Sequence, residues 1–344
     1  MGTRKLGSLE VSAIELDCMT MNSGNYNPPH TVREMAPVIH AAIDQGLTYF
    51  DTTEAYAPFI NEERVGEALV AYRNRVVLAT NSGFGFDIDP ATGCRTGGLN
   101  SRTEHIRNVV DASLRRLRTD HIDLLYQHRV DPRVPIEDVA STAKDLIGES
   151  KVRHFGMSEP SLATLRRAHA IQPVSAVQSE YSLLTRDPEN GVLAVLEELN
   201  VGLAAWSPLG IGLLTGTFNE KTRFDGPGYT DYRLTNPRFT PENIGPNMAI
   251  VDFLRRWALR KNATQAQLSL AWLLVQKPWI VPIRGTTKQA HLSENLGVMH
   301  VAFNTDELKE FNACLAKMEI HGLRLRPDLF ELSGQEAPPE ASRS

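Results

Sequence analysis

Between Lys5 and Lys144 the chain of 344 residues has no lysine, so no ammonium side chain is available to a catalytic or ion-paired site in that stretch. Cysteine is nearly as scarce. Cys18, Cys94 and Cys314 form an odd, scattered set that suits a reducing compartment better than a disulfide framework, and each reads as a small core or loop residue. There is no Cys-x-x-Cys pair and no His-Glu-x-x-His motif, so neither common zinc-site spacing is present and no metal is expected. No apolar stretch reaches bilayer-spanning length, and the start at Met1 runs into a strand pattern without a signal-peptide core. The expectation is a cytoplasmic protein. Long runs of like charge are absent too, and a net charge of -5 argues against nucleic acid or an anionic membrane surface as partner.

What is present is a core-forming chain with a repeated pattern. At 42 % apolar content one barrel-sized domain accounts for the length. Short apolar runs at 11–19, 48–51, 76–80, 122–127, 154–158, 176–180, 202–206 and 280–282 read as strands. Helical periods separate them at 31–45, 61–72, 103–118, 135–149, 161–170, 190–199, 246–260 and 264–276, with one more at 288–298. Ser161 can cap its helix, and Thr264 with Gln267 fits a capping box. This βα alternation predicts a closed (β/α)8 TIM barrel over residues 1–330, with a doubly wound open sheet as the alternative. Residues 210–247, rich in Gly, Pro, Thr and Asn, read as a long loop over one barrel end, and 331–344 as a disordered or loosely docked tail.

Catalytic groups in such barrels gather at the carboxyl ends of strands. Asp51, Asn81 and His128 end the second, third and fourth expected strands, and Tyr56 lies just beyond the second. A lone Asp there is commonly a helix cap, and a lone Tyr or His a packing residue. The whole set at consecutive strand ends is what points to chemistry.

Several segments resemble the aldo-keto reductases: Phe50-Asp51-Thr52-Thr53-Glu54-Ala55-Tyr56, Val76-Val77-Leu78-Ala79-Thr80-Asn81 and Asp123-Leu124-Leu125-Tyr126-Gln127-His128. Asn61 to Leu69, Lys151 to Ser158, Ser207-Pro208-Leu209-Gly210 and Gly285-Thr286-Thr287-Lys288 with Glu294-Asn295 extend the likeness over nearly the whole chain. The resemblance implies an NADP(H)-dependent oxidoreductase in which Tyr56 protonates a carbonyl as hydride arrives, His128 orients that carbonyl and Asp51 anchors an ion pair behind the tyrosine. It further implies that Ser158 and Gln178 hold the carboxamide, Tyr181 stacks under the nicotinamide, and Lys288 with Thr287 takes the 2′-phosphate. Glu294 and Asn295 would lie near the adenine, and the run from Gly210 to Gly216 would close over the pyrophosphate. Met19, Thr20, Trp206, Ser207, Leu209, Gly285, Thr286 and His291 complete the implied cofactor surface.

One element of the pattern is missing. The family's lysine eases deprotonation of a phenol whose unperturbed pKa is about 10, and Asn81 stands in its place without a charge. Glu15, Asp17 and Thr20 occupy positions that are glycines in related sequences, with Asp17 and Thr20 expected near the nicotinamide. Three readings follow. The first is an NADP-dependent reductase of a carbonyl or imine, with water, His128 or Asp17 covering part of the lysine's role. The second is a non-redox dehydratase, epimerase or cyclase using Tyr56, His128 or Asp17 as acid and base. The third is a nucleotide-binding regulatory protein without catalysis. The first is preferred, because the cofactor-clamping segment is the most intact. A small-molecule substrate is implied. Tyr26, Phe84, Phe86, Phe218, Tyr229 and Tyr232, on loops at 22–30, 84–100 and 213–247, would suit an aromatic one as well as plain packing. No pattern specifies an oligomeric state.

Overall fold

The computed structural model describes residues 1–21, 31–56, 58–86, 97–225 and 231–339. Eight parallel strands close into a barrel in the order β10-β3-β4-β5-β6-β7-β8-β9. They are β3 (Glu15–Asp17), β4 (Tyr49–Asp51), β5 (Val77–Ser82), β6 (Ile122–Gln127), β7 (Val152–Ser158), β8 (Val174–Glu180), β9 (Gly202–Trp206) and β10 (Ile280–Gly285). Closure is made where Ile283, Arg284 and Gly285 pair with Glu15, Leu16 and Asp17. The helices are α1 (Val32–Asp44), α2 (Ile60–Leu69), α3 (Thr103–Arg116), α4 (Ile136–Gly148), α5 (Leu162–Ile171), α6 (Val192–Glu198), α7 (Pro241–Lys261), α8 (Gln265–Gln276) and α9 (Gln289–Leu296). Their apolar faces pack on the outward strand residues, so the sheet is buried on both sides. The architecture is a (β/α)8 TIM barrel. No helix of the described residues is long and apolar enough to cross a membrane.

The expected first strand, 11–19, is two elements. β1 (Thr3–Leu6) and β2 (Leu9–Ser12) form an antiparallel hairpin turned at Gly7, whose φ of 60° suits glycine. The break falls at Ser12, whose hydroxyl donates to Ile14 O at 2.7 Å and accepts from the N–H groups of Thr48 and Tyr49 at 3.1 Å each. The hairpin plugs the amino-terminal end of the barrel. There Leu6 lies so close to Gly202 that a β-carbon on the glycine would meet Leu6 Cδ2 at 2.4 Å.

Other boundaries moved for local reasons. α7 starts at Pro241, in the first turn, where a missing N–H is harmless, and Pro246 lies inside it. The loop opening at Gly210 therefore ends at Thr240, and it carries 3-10 turns over Gly210–Thr215, Tyr232–Thr235 and Pro237–Phe239. A tenth helix, α10 (Thr305–Leu315), was not expected, although Asn304 and Glu307 form its capping box. The short α11 (Pro327–Phe330) follows. The expectation of a loose tail from 331 needs correction as far as Pro339. Arg167 of α5 donates to the carbonyls of Ala337 and Pro338 at 2.8 and 2.6 Å, and Ala337 N–H donates to Thr164 Oγ1 at 3.0 Å. Backbone bonds of this kind are invisible to a composition-based reading. Residues 340–344, with Tyr26, Tyr229 and Cys94, lie outside the described residues.

Candidate active site

Asp51 sits at the carboxyl end of β4 and is buried. Its Oδ2 accepts from Gln178 Nε2 at 2.9 Å, and Asn81 adds a second hydrogen bond. Asn81 also donates from Nδ2 to Thr52 O at 3.0 Å, while its Oδ1 is buried without a donor. Thus Asp51, Asn81 and Gln178 meet, and no ammonium group is among them. Inside the barrel, Glu15 of β3 has both carboxyl oxygens buried and unpartnered. Burial and the charges of Asp51 and Asp17 push Glu15 well above the usual carboxylate range, and burial with Asp17 does the same to Asp51 against the pull of the two amides. Burial raises Asp17 to about 6, moderated by the Met19 N–H, which donates to its Oδ1 at 2.7 Å, and by Arg284. The interior therefore stores protons where an ion pair would otherwise stand.

The other two expected groups lie at the same barrel mouth. Tyr56 follows β4 in a turn closed by its N–H donating to Thr53 O at 3.2 Å, and its side chain is half-buried. His128 follows β6, tied by its N–H to Ser82 O at 2.8 Å, with the edge of Phe84 on its ring at 4.8 Å.

A cleft of about 260 Å³ opens between the ends of β9, β10 and β3. Of the expected cofactor residues, Met19, Thr20, Ser207, Leu209, Gly285, Thr286, Thr287, Lys288, His291, Glu294 and Asn295 line it. Lys288 precedes α9, so its ammonium group and the helix amides face one end of the cleft. Asn295 Nδ2 and Thr20 Oγ1 are buried on its walls without hydrogen-bond partners. The far wall comes from Ile211, Gly212, Thr215 and Phe218, backed by Arg233, whose guanidinium lies 5.0 Å from the Phe218 ring centroid.

Comparison with known proteins decides the family. The model of the aldo/keto reductase family matches residues 18–316. This chain belongs to the aldo-keto reductases. A protein of Glycine max described as probable aldo-keto reductase 1 is 37 % identical over 350 residues, spanning 98 % of this chain and 96 % of its own. Among solved structures, a glycerol dehydrogenase from Gluconobacter oxydans superposes with a TM-score of 0.83 at 27 % identity, covering 94 % of this chain and 98 % of that one. An aldo-keto reductase from Bacillus halodurans in its holo form, at 24 % identity, TM-score 0.74, and 93 % and 98 % coverage, shares the fold. The assignment makes the chain an oxidoreductase.

Within this aldo-keto reductase, five of the expected cofactor residues lie outside the cleft. Ser158 Oγ accepts from Arg129, and Gln178 is committed to Asp51, so both implied carboxamide holders already have partners. Gly210, with φ of 55°, packs against Leu184 behind the cleft wall. Tyr181 is not where the resemblance put it. Its ring is fully buried, 5.4 Å from the Trp272 ring, and its hydroxyl donates to Glu189 at 3.0 Å. Trp206, at the carboxyl end of β9, is half-exposed. Sequence reasoning missed Arg129 and Arg284, and their signal was adjacency: each flanks an expected site residue at a strand end.

Proposed function

We propose that the chain is an NADP(H)-dependent reductase of a carbonyl, or an imine, on a small organic substrate. The observation that carries this reading is the single cleft lined by eleven residues expected to hold the cofactor, with the unpaired Asn295 Nδ2 and Thr20 Oγ1 on its walls. Those donors fit a ligand rich in acceptors, and Lys288 at the start of α9 fits a phosphate. When bound, the dinucleotide supplies hydride. The chain's own residues hold the phosphate at Lys288 and present Trp206 as an apolar platform. Tyr56 delivers the proton to the carbonyl oxygen, with His128 as orienting donor. Asn81 and Gln178 hold Asp51 beneath them.

Without a lysine, proton delivery is the slow step in this reading, since general acid catalysis contributes about 10²- to 10⁴-fold. NADPH binding followed by fluorescence, then NADPH oxidation with a panel of aldehydes, ketones and imines, tests it, with Tyr56→Phe as control. Tight binding with turnover that Tyr56→Phe lowers about 10²-fold or more supports it. Absence of turnover across the panel sinks it.

One observation favours a non-redox reading as runner-up. Asp17 lines the cleft with a pKa of about 6, poised for acid and base work near neutral pH. A product of unchanged mass, or lighter by one water, formed without NADPH consumption would select that reading.

A further inference from the structure

Arg129 follows His128 directly, just past the carboxyl end of β6. Its Nη1 donates to Ser158 Oγ at 2.6 Å and to the His128 carbonyl at 2.8 Å, both neutral acceptors. Among the described residues no carboxylate comes within 4.0 Å of the guanidinium. The neighbouring carboxylate, Glu159, is committed elsewhere: it accepts from Arg324 at 2.6 and 3.1 Å, from Ser179 Oγ at 3.0 Å and from Glu180 N–H at 3.0 Å. Desolvation lowers the Arg129 pKa against the attraction of the Glu159 charge beyond ion-pair distance, and an arginine keeps its charge in a protein. The result is a half-buried cation with unused donors at the mouth of the barrel, an arrangement that an incoming anion stabilises.

The place of Arg129 separates it from the cofactor's phosphates. In the barrel order β6 lies opposite β10, and the cleft with Lys288 runs along β9, β10 and β3. Arg129 is on the other side, with His128 and the Phe84 ring edge beside it and Tyr56 and Tyr232 within electrostatic reach. A single planar guanidinium, with the nearby Arg324 spent on Glu159, suits a monoanion with two oxygens better than a doubly charged phosphate.

We propose that Arg129 recognises a carboxylate on the substrate, so that the preferred substrates are carbonyl compounds bearing a carboxylate group. This rests on the reductase reading for turnover, and on geometry alone for binding.

A matched pair of substrates tests it: 4-carboxybenzaldehyde and its neutral counterpart, 4-formylbenzamide. The wild-type protein is expected to prefer the carboxylate. Arg129→Gln is expected to lower kcat/KM for the carboxylate on the order of 30-fold, mostly through KM, and for the amide by less than about 3-fold. Arg129→Lys should fall between, which separates loss of charge from damage to the fold. Equal losses for both substrates, or no preference in the wild type, overturn the proposal. Benzoate and benzamide binding to the protein with NADP+, measured by calorimetry, separates the two readings. If neutral aldehydes are reduced but benzoate binds no better than benzamide, the Arg129 proposal fails and the reductase stands. If benzoate binds through Arg129 while no aldehyde consumes NADPH, the reductase reading fails and the carboxylate site stands.

Discussion

Gln178 Nε2 donates to Asp51 Oδ2 at 2.9 Å from the far side of the barrel, so the aspartate that would hold a lysine is held by neutral amides. Its carboxyl has no cationic partner among the described residues, and Glu15 and Asp17 lie within electrostatic reach.

Asn81→Lys should therefore raise both activity and stability. The new ammonium group would offset a cluster of carboxyls and pull the Asp51 pKa down. With the reductase reading correct, kcat should rise about 10-fold or more in NADPH oxidation assays, and unfolding free energy by about 1–3 kcal/mol in denaturant titrations at neutral pH. A variant that is less stable and no faster would show that Asn81 is fitted to this interior.

Glu15→Gln should change how stability depends on pH. Glu15 keeps its proton in the folded chain to a higher pH than in the unfolded chain, where its pKa is about 4.3. Between those two values the folded state binds more protons, so stability falls as pH rises. The glutamine variant lacks that loss. Its unfolding midpoint relative to the wild type should climb from pH 5 towards pH 9, and parallel pH curves would count against an interior proton store at Glu15.

Asp17 should govern cofactor affinity near pH 6. Neutral below about 6 and charged above it, its carboxyl on the cleft wall opposes phosphate anions only at the higher pH. NADPH dissociation constants should rise as pH increases through that value. The cofactor's own 2′-phosphate titrates at about 6 as well, but equally for Asp17→Asn. The difference between the two proteins isolates the side chain, and coincident curves would discard this role.

Lys288→Met should weaken NADPH binding about 10- to 100-fold, the range of one charge-assisted hydrogen bond, while NADH affinity changes little. Titration with both nucleotides checks this. Similar losses for the two would move the 2′-phosphate away from Lys288.

Much of the barrel was legible because buried parallel strands are mainly apolar runs, continuous at 202–206 and broken only by Asp123 and Gln127 at 122–127, and those two have the boundaries the sequence implied. The hairpin at the barrel floor was not, because β2 and β3 are separated only by a hydrogen-bonded kink at Ser12 within one apolar run. The cleft was readable since its expected residues cluster in three short segments, 19–20, 207–209 and 285–295. Tyr181 was misplaced for the opposite reason. One step beyond the end of β8 decides whether a side chain faces the mouth or the helix layer, and the Trp272 contact that decides it spans distant residues. That Arg129 has no carboxylate within ion-pair distance among the described residues goes with Arg324 taking Glu159, a pairing with no local trace.

Closure of the barrel by β10 on β3 joins Ile283 to Glu15, residues near opposite ends of the chain. A chain emerging from the ribosome must keep the edge of β3 unpaired until β10 has been made, and that late, distant contact carries a large loop-closure cost. The same seam places Asp17 against Gly285, so one wall of the cleft forms only at the last step of assembly. A nascent or truncated chain ending before residue 280 would hold a nearly complete sheet yet have no place for the nucleotide, which makes ligand binding a report on finished synthesis.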